Sequence, residues 1–289
     1  MELRTLKAFL VVAREENITR AAATLHITQP SLSRQIMQIE EDLGVKLFRR
    51  SKHSIILTEE GRLLKRRAQE IIDLTDKTEQ ELSHGPEVIA GEISIGCCET
   101  QNMGPLTKLM VNFQKEYPDV VFDLYTAVAD DVKERMESGI LDLGLLLEPV
   151  EITKYNFLRM PQQEKWCVLL RKDSPLAEKA VITPADLVNE RLILTKRKSV
   201  KNELENWLGD CYEKVHIVAT SNLSYYNRSL MVKNGLGIAT CHEFQNLDDA
   251  LCLRPLKPEI ANGSVLVWKK AQVFSPAVSR FIEHLRNAL

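Results

Sequence analysis

The chain has 289 residues, enough for two or three domains at ~100–200 residues each. Hydrophobic residues make up 44% of it and charged residues 27%, so it can bury a large core and is not a disordered chain. The formal net charge of -2 disfavours a protein that coats nucleic acid over its whole surface, because that class is usually strongly basic.

The sequence offers little sign of export, membrane insertion or metal binding. No stretch approaches the ~20 apolar residues that span a bilayer, and the N-terminal segment has no small-residue cleavage site. The six cysteines form neither a Cys-x-x-Cys pair nor a metal-ligand spacing. We therefore expect a cytoplasmic protein with reduced thiols, with no membrane partner, no metal and no other cofactor.

The basic charge is concentrated at the N-terminus. Residues 1–57 carry nine Lys and Arg against six Asp and Glu, a charge of +3. Residues 58–87 carry -3 and residues 88–289 carry -2. The excess of positive charge, which contact with DNA phosphates requires, is therefore confined to residues 1–57.

Three short helices are predicted within the basic region. Apolar residues at helical spacing predict the first helix, and Asn17 or Thr19 can cap the second. Thr28 can cap a third helix that runs to about Leu43, where Gly44 ends it. Two short helices, a three-residue turn and a third helix are typical of a helix-turn-helix motif.

The third helix has an exposed polar face in its N-terminal half, which we expect to enter the DNA major groove. Arg can bond guanine in a bidentate way, Gln can bond adenine, and the free N–H groups of a helix N-terminus favour phosphate. Glu40, Glu41 and Asp42 would repel phosphate, but they lie at the far end of the helix. The predicted DNA contacts on this helix are Thr28, Gln29, Pro30, Ser31, Ser33, Arg34 and Gln38.

A short β-hairpin is predicted between Val45 and Leu57, the wing of a winged helix-turn-helix. Its cations Arg49, Arg50 and Lys52 would lie along the DNA phosphates, which position a protein without specifying sequence. The alternative is a solvated basic loop on a small helical bundle. We favour the wing because the helix, the turn, the polar face and the hairpin occur together.

Four motifs resemble the DNA-binding domain of LysR-type transcriptional regulators. They are Ala21-Ala22, Thr-Gln-Pro-Ser-Leu-Ser-Arg-Gln-Ile at 28–36, Glu-x-x-Leu-Gly-x-x-Leu-Phe-x-Arg at 40–50 and Leu-Thr-Glu-Glu-Gly-Arg-Leu-Leu at 57–64. The resemblance extends over the whole chain and is most specific in residues 1–65. It implies a sequence-specific DNA-binding regulator, not an enzyme, that is controlled by a small effector.

Residues 58–87 predict a long helix with a narrow apolar seam. Thr58 can cap it, and the seam has heptad spacing, although two of its six positions are Thr. A seam of this kind indicates a dimerising helix; the alternative is a helix packed on its own chain. A homodimer or homotetramer would place two helix-turn-helix units on a roughly palindromic site of double-stranded DNA. The predicted dimerisation residues are Leu64, Ala68, Ile71 and Leu82.

Residues 88–289 alternate strands with helices, which predicts an α/β fold with a largely parallel sheet. The resemblance implies a two-lobed effector domain of the periplasmic-binding-protein type. We expect lobe one at about 88–150 and 265–289 and lobe two at about 155–262, with crossings near 148–155 and 262–265. The predicted strands are Glu92–Gly96, Val120–Thr126, Leu141–Leu147, Lys165–Leu170, Leu192–Leu194, Val215–Ala219, Ile238–Cys241 and Val265–Trp268.

Three loops that follow strands in this region are expected to hold the effector, because ligands bind beyond the carboxyl ends of strands in open α/β sheets. Hydroxyl, amide and basic groups beside helix N-termini suit a small anion, most simply a carboxylate. The basic run at 196–198 is equally consistent with a solvated surface, and Thr100 and Ser221 with plain helix caps. The predicted effector contacts are Cys98, Thr100, Gln101, Asn102, Thr195, Lys196, Arg197, Ser199, Ser221 and Asn222.

Cys97 and Cys98 lie in the first of these loops. A helix N-terminus lowers the pKa of a nearby thiol, so a reactive thiol is one interpretation. Burial of two small side chains is commoner, and we favour it.

Two other classes of protein fit the sequence less well. An enzyme is disfavoured because Gly235-x-Gly237 lacks the third glycine of a dinucleotide motif, and because Cys241-His242 has no further ligand at metal spacing. A transport-type solute-binding protein would explain the C-terminal region but not the first 85 residues. We expect a regulator in which effector binding changes lobe closure, DNA bending and contact with RNA polymerase.

Overall fold

The computed structural model of the protein describes residues 1–50, 55–83, 89–222 and 225–289. The side chains of Arg50, residues 80–83, Lys198 and Ser199 lie outside that description. The chain forms two compact units, Met1–Ser83 and His84–Leu289. Among the described helices, none is both long and apolar enough to cross a membrane.

The first unit is a winged helix-turn-helix followed by one long helix. Asn17 caps the second helix by accepting a hydrogen bond from the Arg20 N–H at 3.1 Å. Gly44 ends the third helix with φ of 68°, in the left-handed region that glycine tolerates. The elements are α1 (Leu3–Glu15), α2 (Ile18–Thr24), α3 (Gln29–Leu43), β1 (Phe48–Arg50), β2 (Ile55–Leu57) and α4 (Glu59–Ser83).

The core of the first unit includes part of the seam that was expected to form a dimer. Ala68 is fully buried there with Ile72, and α4 packs against α1. Ile71 is instead 40% exposed. The two faces separate because Ile71 lies about 100° around the helix from Ile72, so a core that holds Ala68 and Ile72 leaves Ile71 towards the exposed side.

The second unit contains two sheets. In the first sheet the strand order is β4-β3-β5-β13-β6, and in the second it is β11-β7-β10-β8-β9, with β12 paired to β7. The first sheet comprises β3 (Gly91–Cys97), β4 (Val120–Thr126), β5 (Leu143–Leu147), β6 (Tyr155–Arg159) and β13 (Ser264–Lys269). The second comprises β7 (Glu164–Arg171), β8 (Arg191–Thr195), β9 (His216–Ser221), β10 (Ile238–His242), β11 (Leu251–Pro255) and β12 (Ala261–Asn262).

Each sheet is mixed rather than largely parallel. Strand β3 pairs in parallel with β4 and β5, but β13 pairs antiparallel with β5 and β6. In the second sheet β8 pairs in parallel with β9 and β10, whereas β7 pairs antiparallel with β10 and β11. The antiparallel pairs arise where the chain enters a lobe from the other one, so those strands lack the local strand–helix–strand connection that a parallel pair needs.

The two sheets define two lobes, and the first crossing between them lies later than expected. Strand β6 pairs with β13 in lobe one, so the chain crosses between Arg159 and Glu164 rather than near 148–155, and lobe two does not begin at 155. The alternation of buried and exposed residues in β6 is typical of an edge strand. The second crossing lies at Gly263, between β12 and β13.

Helices cover the sheets and place loops at the strand ends. Gly96 and Gly144 lie beneath one of these helices, and a Cβ atom at Gly96 would lie 2.4 Å from Val132 Cγ1. Glycine is therefore required there for the helix to approach the sheet. The helices are α5 (Met103–Glu116), α6 (Ala129–Glu137), α7 (Lys198–Leu208), α8 (Tyr225–Lys233) and α9 (Pro276–Ala288), while Pro184–Leu187 forms a single 3-10 turn.

Candidate functional site

The N-terminal half of α3 is an exposed polar surface. Leu32 and Ile36 are buried on its inner face, which leaves the opposite face open. Ser33 is half-buried, and its hydroxyl accepts a hydrogen bond from Gln29 Nε2 at 2.8 Å. Exposed are Thr28, Gln29, Pro30, Ser31, Arg34 and Gln38.

Arg34 is the unengaged cation of this surface. It makes no hydrogen bond or ion pair with any described residue. Gln38, one turn further on, donates a hydrogen bond to Asp42 at 2.8 Å and so is partly committed within the helix. The guanidinium of Arg34 can therefore donate two parallel hydrogen bonds to a planar acceptor, the kind of partner that arginine prefers.

The hairpin predicted as a wing is present. Strands β1 and β2 pair antiparallel, with Arg49 opposite Ile56, and Arg49 is exposed. The side chain of Arg50 and the whole of Lys52 lie outside the described residues.

Glu40 has a different position from the one expected for it. It is buried, and its carboxylate accepts hydrogen bonds from the N–H groups of Leu47 at 2.9 Å and Phe48 at 3.3 Å and from Lys46 Nζ at 2.6 Å. Burial alone would raise its pKa, but these hydrogen bonds outweigh burial and hold the pKa below its ordinary value of 4.5. Glu40 therefore joins α3 to the wing and does not face DNA as a repelling charge.

The outer face of α4 exposes several apolar side chains. Leu63, Ile71 and Leu74 are 54%, 40% and 42% exposed. Leu64 is half-buried against the unit's own core, and the side chain of Leu82 lies outside the described residues.

A cavity of about 60 Å³ lies between the two lobes of the second unit. It is lined from lobe one by Cys98 and Glu99 and by the ends of β5 and α6. Of the predicted effector contacts, Cys98, Thr195, Arg197 and Asn222 line it. Residues not predicted as contacts also line it, namely Glu99, Trp166, Tyr225, Arg228 and His242.

Thr100, Gln101 and Asn102 do not line this cavity, because their polar groups are engaged by Glu164. The Thr100 hydroxyl and the Gln101 N–H donate to the fully buried Glu164 carboxylate, the latter at 3.3 Å. Asn102 Nδ2 donates to the same carboxylate at 3.3 Å and to Ser264 Oγ at 2.7 Å. The anion position predicted at the start of α5 is thus filled by a carboxylate of the chain itself.

The second predicted loop contributes one cation to the cavity. Arg197 donates through its two terminal nitrogens to the carbonyl oxygens of Leu147 at 3.1 Å and Pro149 at 2.9 Å, across the cleft in lobe one. Its Nε is buried with no partner among the described residues. Lys196 is exposed, and the side chain of Ser199 lies outside the description.

Arg228 of α8 is the most buried cation of the cleft, with 7% exposure. One terminal nitrogen donates to the Thr240 carbonyl at 3.1 Å, but Nε is buried without a partner among the described residues, as is the Thr240 hydroxyl. No described carboxylate forms an ion pair with Arg228. A buried guanidinium without a counter-charge is unfavourable.

Glu99 is the acid among the described residues that line the cavity. Its carboxylate accepts a hydrogen bond from the Tyr225 N–H at 2.9 Å, and its carbonyl accepts one from the Tyr225 hydroxyl at 3.2 Å. Lobe one is therefore attached to the first turn of α8 in lobe two. Beside this contact Asn222 is exposed and Ser221 is half-buried, with the Ser221 carbonyl accepting from the Lys196 N–H at 2.9 Å.

A polar network joins the cavity to the second crossing between the lobes. Asn262 Oδ1 lies 2.5 Å from the donating Trp166 Nε1 and 3.2 Å from His242 Nε2, and its amide donates to Glu203. Burial lowers the pKa of His242 to about 4, more than its contact with Asn262 raises it. His242 is therefore neutral at pH 7.

Cys97 and Cys98 are both buried, and burial raises the pKa of each thiol above its ordinary value. These conditions are opposite to those of a reactive thiolate. Among the described residues no group of three His, Cys, Asp or Glu side chains is arranged to hold a metal ion.

Two family profiles match the chain. "Bacterial regulatory helix-turn-helix protein, lysR family" matches residues 3–62, and "LysR substrate binding domain" matches residues 86–289. The uncharacterized HTH-type transcriptional regulator YybE of Bacillus subtilis (strain 168) is 30% identical over 292 residues, covering 99% of this chain and 98% of YybE.

Solved structures of the same fold cover the chain from end to end. CbnR, a LysR family transcriptional regulator, has a TM-score of 0.78 at 20% identity, covering 100% of this chain and 99% of CbnR. Full-length CbnR complexed with its target DNA has a TM-score of 0.77 at 21% identity, covering all of both chains. The chain belongs to the LysR family of DNA-binding transcriptional regulators.

Proposed function

We propose that this regulator reads DNA with the N-terminal half of α3 and responds to a small anion bound between its two lobes. The buried, unpaired guanidinium of Arg228 is the observation that carries the second part. The exposed and unengaged guanidinium of Arg34 supports the first.

For DNA, Arg34 would contact a base edge, with Gln29, Ser31 and Ser33 as neighbouring hydrogen-bonding groups and Thr28 and Pro30 at the helix start. Gel-shift titrations on DNA from upstream of the protein's own gene test this. Arg34→Ala should lose about 1–3 kcal/mol at one base position and relax the preference there. Arg14→Ala, an exposed arginine of α1, is the control. Equal loss on all sequences would make Arg34 a phosphate contact instead.

For the effector, the best candidate is a carboxylate that completes the hydrogen bonding of Arg228 and Arg197. Thr195, Cys98 and Asn222 would contact the rest of the ligand. Mass spectrometry of small molecules that co-purify with the protein should detect an organic anion, and Arg228→Gln should abolish its retention.

We infer a homodimer or homotetramer, joined in part by the exposed apolar face of α4. Leu63, Ile71 and Leu74 offer this face to a second copy, and a paired protein would favour a roughly palindromic DNA site. Sedimentation of Ile71→Glu, beside the exposed-to-charged control Met37→Glu, tests it: dissociation is expected only for Ile71→Glu.

The effector would act by changing the closure of the lobes, which in an oligomer alters how the two copies of α3 meet DNA and how RNA polymerase is contacted. Effector binding can change lobe closure only if the effector binds the closed and the open lobes with different affinities. DNA-bending assays with and without the co-purified ligand measure it directly.

A further inference from the structure

The charges that line the cavity do not cancel. Arg197 and Arg228 are permanent cations, Glu99 is the acid among the described lining residues, and His242 is neutral at pH 7. Behind Glu99, the buried Glu164 carboxylate accepts from Thr100 and Gln101 and adds a second negative charge close to the cavity. One negative group of a ligand can therefore pair with the two arginines, whereas a second would meet acids and no further cation among the described lining residues.

Glu99 is fixed at its place in the cavity. Its carboxylate is held by the Tyr225 N–H at 2.9 Å, and its backbone carbonyl by the Tyr225 hydroxyl at 3.2 Å. The side chain cannot swing away from a bound ligand without leaving the first turn of α8 unpaired. An additional negative group on a ligand would therefore meet a fixed like charge.

The size of the cavity sets a second limit. About 60 Å³, in the arrangement that the structure describes, is small beside the roughly 300–1,000 Å³ of typical ligand pockets. A ligand that fits without further opening of the lobes is therefore compact.

We propose that Glu99 is a specificity-determining residue that restricts the effector to a single negative charge, and that the effector is a compact monocarboxylate. The carboxylate of the ligand pairs with Arg228 and Arg197, and Glu99 rejects a second carboxylate on the same ligand. This assignment rests on the proposed anion site.

Three probes of the same size and shape separate charge from fit: oxamide is neutral, oxamate is a monoanion and oxalate is a dianion. Calorimetric titration of the full-length protein at neutral pH should give oxamate about tenfold tighter binding than oxalate, and no binding of oxamide. This comparison needs no variant. In Glu99→Gln, whose amide oxygen still accepts from the Tyr225 N–H, the preference should reverse by a similar factor.

Glu178→Gln, at an exposed acid of lobe two that does not line the cavity, should keep the wild-type preference. Tighter binding of oxalate than of oxamate by the wild type, or an unchanged preference in folded Glu99→Gln, overturns the role of Glu99 and leaves the anion site standing. Binding of neither anion overturns both this assignment and the proposed anion site. Loss of both anions in Arg228→Gln, with retention in Glu178→Gln, is the expected result.

Discussion

The two units keep their recognition groups in opposite environments. On α3 the polar groups proposed to meet DNA are exposed, apart from the half-buried Ser33, and lie along one helix. In the cleft, Arg228 and His242 are buried and come from separate elements. Exposed groups on α3 can be matched by a partner that brings its own charge, as DNA phosphates do. In the cleft, the buried cation Arg228 lacks a negative partner among the described residues, and that missing charge limits which ligand can bind.

The comparison predicts two kinds of variant. Removal of a buried polar group that is satisfied by hydrogen bonds should cost folding stability, whichever unit it lies in. Removal of an exposed group from α3 or the wing should cost DNA affinity alone. Four substitutions test this division, and Glu40 is the sharpest because it is a buried polar group in the unit whose other polar groups are exposed.

Glu164→Ala should have the largest effect. It leaves the Thr100 hydroxyl and the Gln101 N–H without their acceptor, whereas Asn102 Nδ2 keeps the Ser264 hydroxyl, so the free energy of unfolding should fall by about 4 kcal/mol. Urea denaturation followed by far-UV circular dichroism measures it. The exposed control Glu178→Ala should stay within about 0.5 kcal/mol of wild type. Equal stability of the two variants would show that the buried network contributes nothing.

His242 should make stability depend on pH. Its pKa of about 4 in the folded protein lies below its ordinary value of 6.5, so the unfolded chain binds the proton more readily. The contribution of neutral His242 to the free energy of unfolding should therefore be complete above pH 6.5 and be lost as the pH falls towards about 4. The loss should amount to roughly 3 kcal/mol relative to His242→Gln. Unfolding of both proteins across this range checks it. Parallel curves would mean that His242 titrates normally.

Glu40→Ala should destabilise the first unit by about 2 kcal/mol, because two backbone N–H groups at the start of the wing lose their acceptor. Glu40→Gln should lose less stability than Glu40→Ala, because the amide oxygen can still accept a hydrogen bond. Because the folded pKa of Glu40 is depressed, its contribution is present above about pH 4.5 and is lost as the pH falls through the lower folded value. Hydrogen exchange of the amides in residues 1–83, measured on the full-length protein at rising temperature, tests this prediction. An unchanged exchange rate at the Leu47 amide would contradict it.

Arg49→Ala should have the smallest effect, confined to DNA. As an exposed phosphate contact, its loss should weaken binding equally on all sequences and reduce the salt slope by about one unit. Stability should not change. Arg49→Lys should keep the slope, because the charge remains. A sequence-dependent loss would indicate a base contact.

Sequence periodicity was enough to predict the exposed face of α3, because that face depends only on residues within the helix itself. The spacing of Leu32, Ile36 and Ile39 alone determines which side Arg34 occupies. The spacing in α4 could not show which side of the helix packs on its own chain: Ala68 and Ile72 lie in the unit's core, whereas Ile71 is 40% exposed.

The sequence predicted only part of the cleft, because a cleft residue can be recognised from local sequence only where a loop follows a strand. Arg197 and Cys98 were found by that rule. Arg228 lies within a helix and His242 within a strand, so no spacing signalled that they share a cavity. Nor could local pattern show that Glu164, distant along the chain, would occupy the anion position beside Thr100.

Trp166 gives the cleft an optical property. Its indole lines the cavity and donates to Asn262 at 2.5 Å, beside the ring of His242 at 4.2 Å between centroids. The two other tryptophans lie elsewhere: Trp207 donates to the Pro258 carbonyl, and Trp268 stacks with Arg286. Occupancy of the cleft should therefore change the emission of one fluorophore in three, so the native protein can be titrated by its own fluorescence without any label.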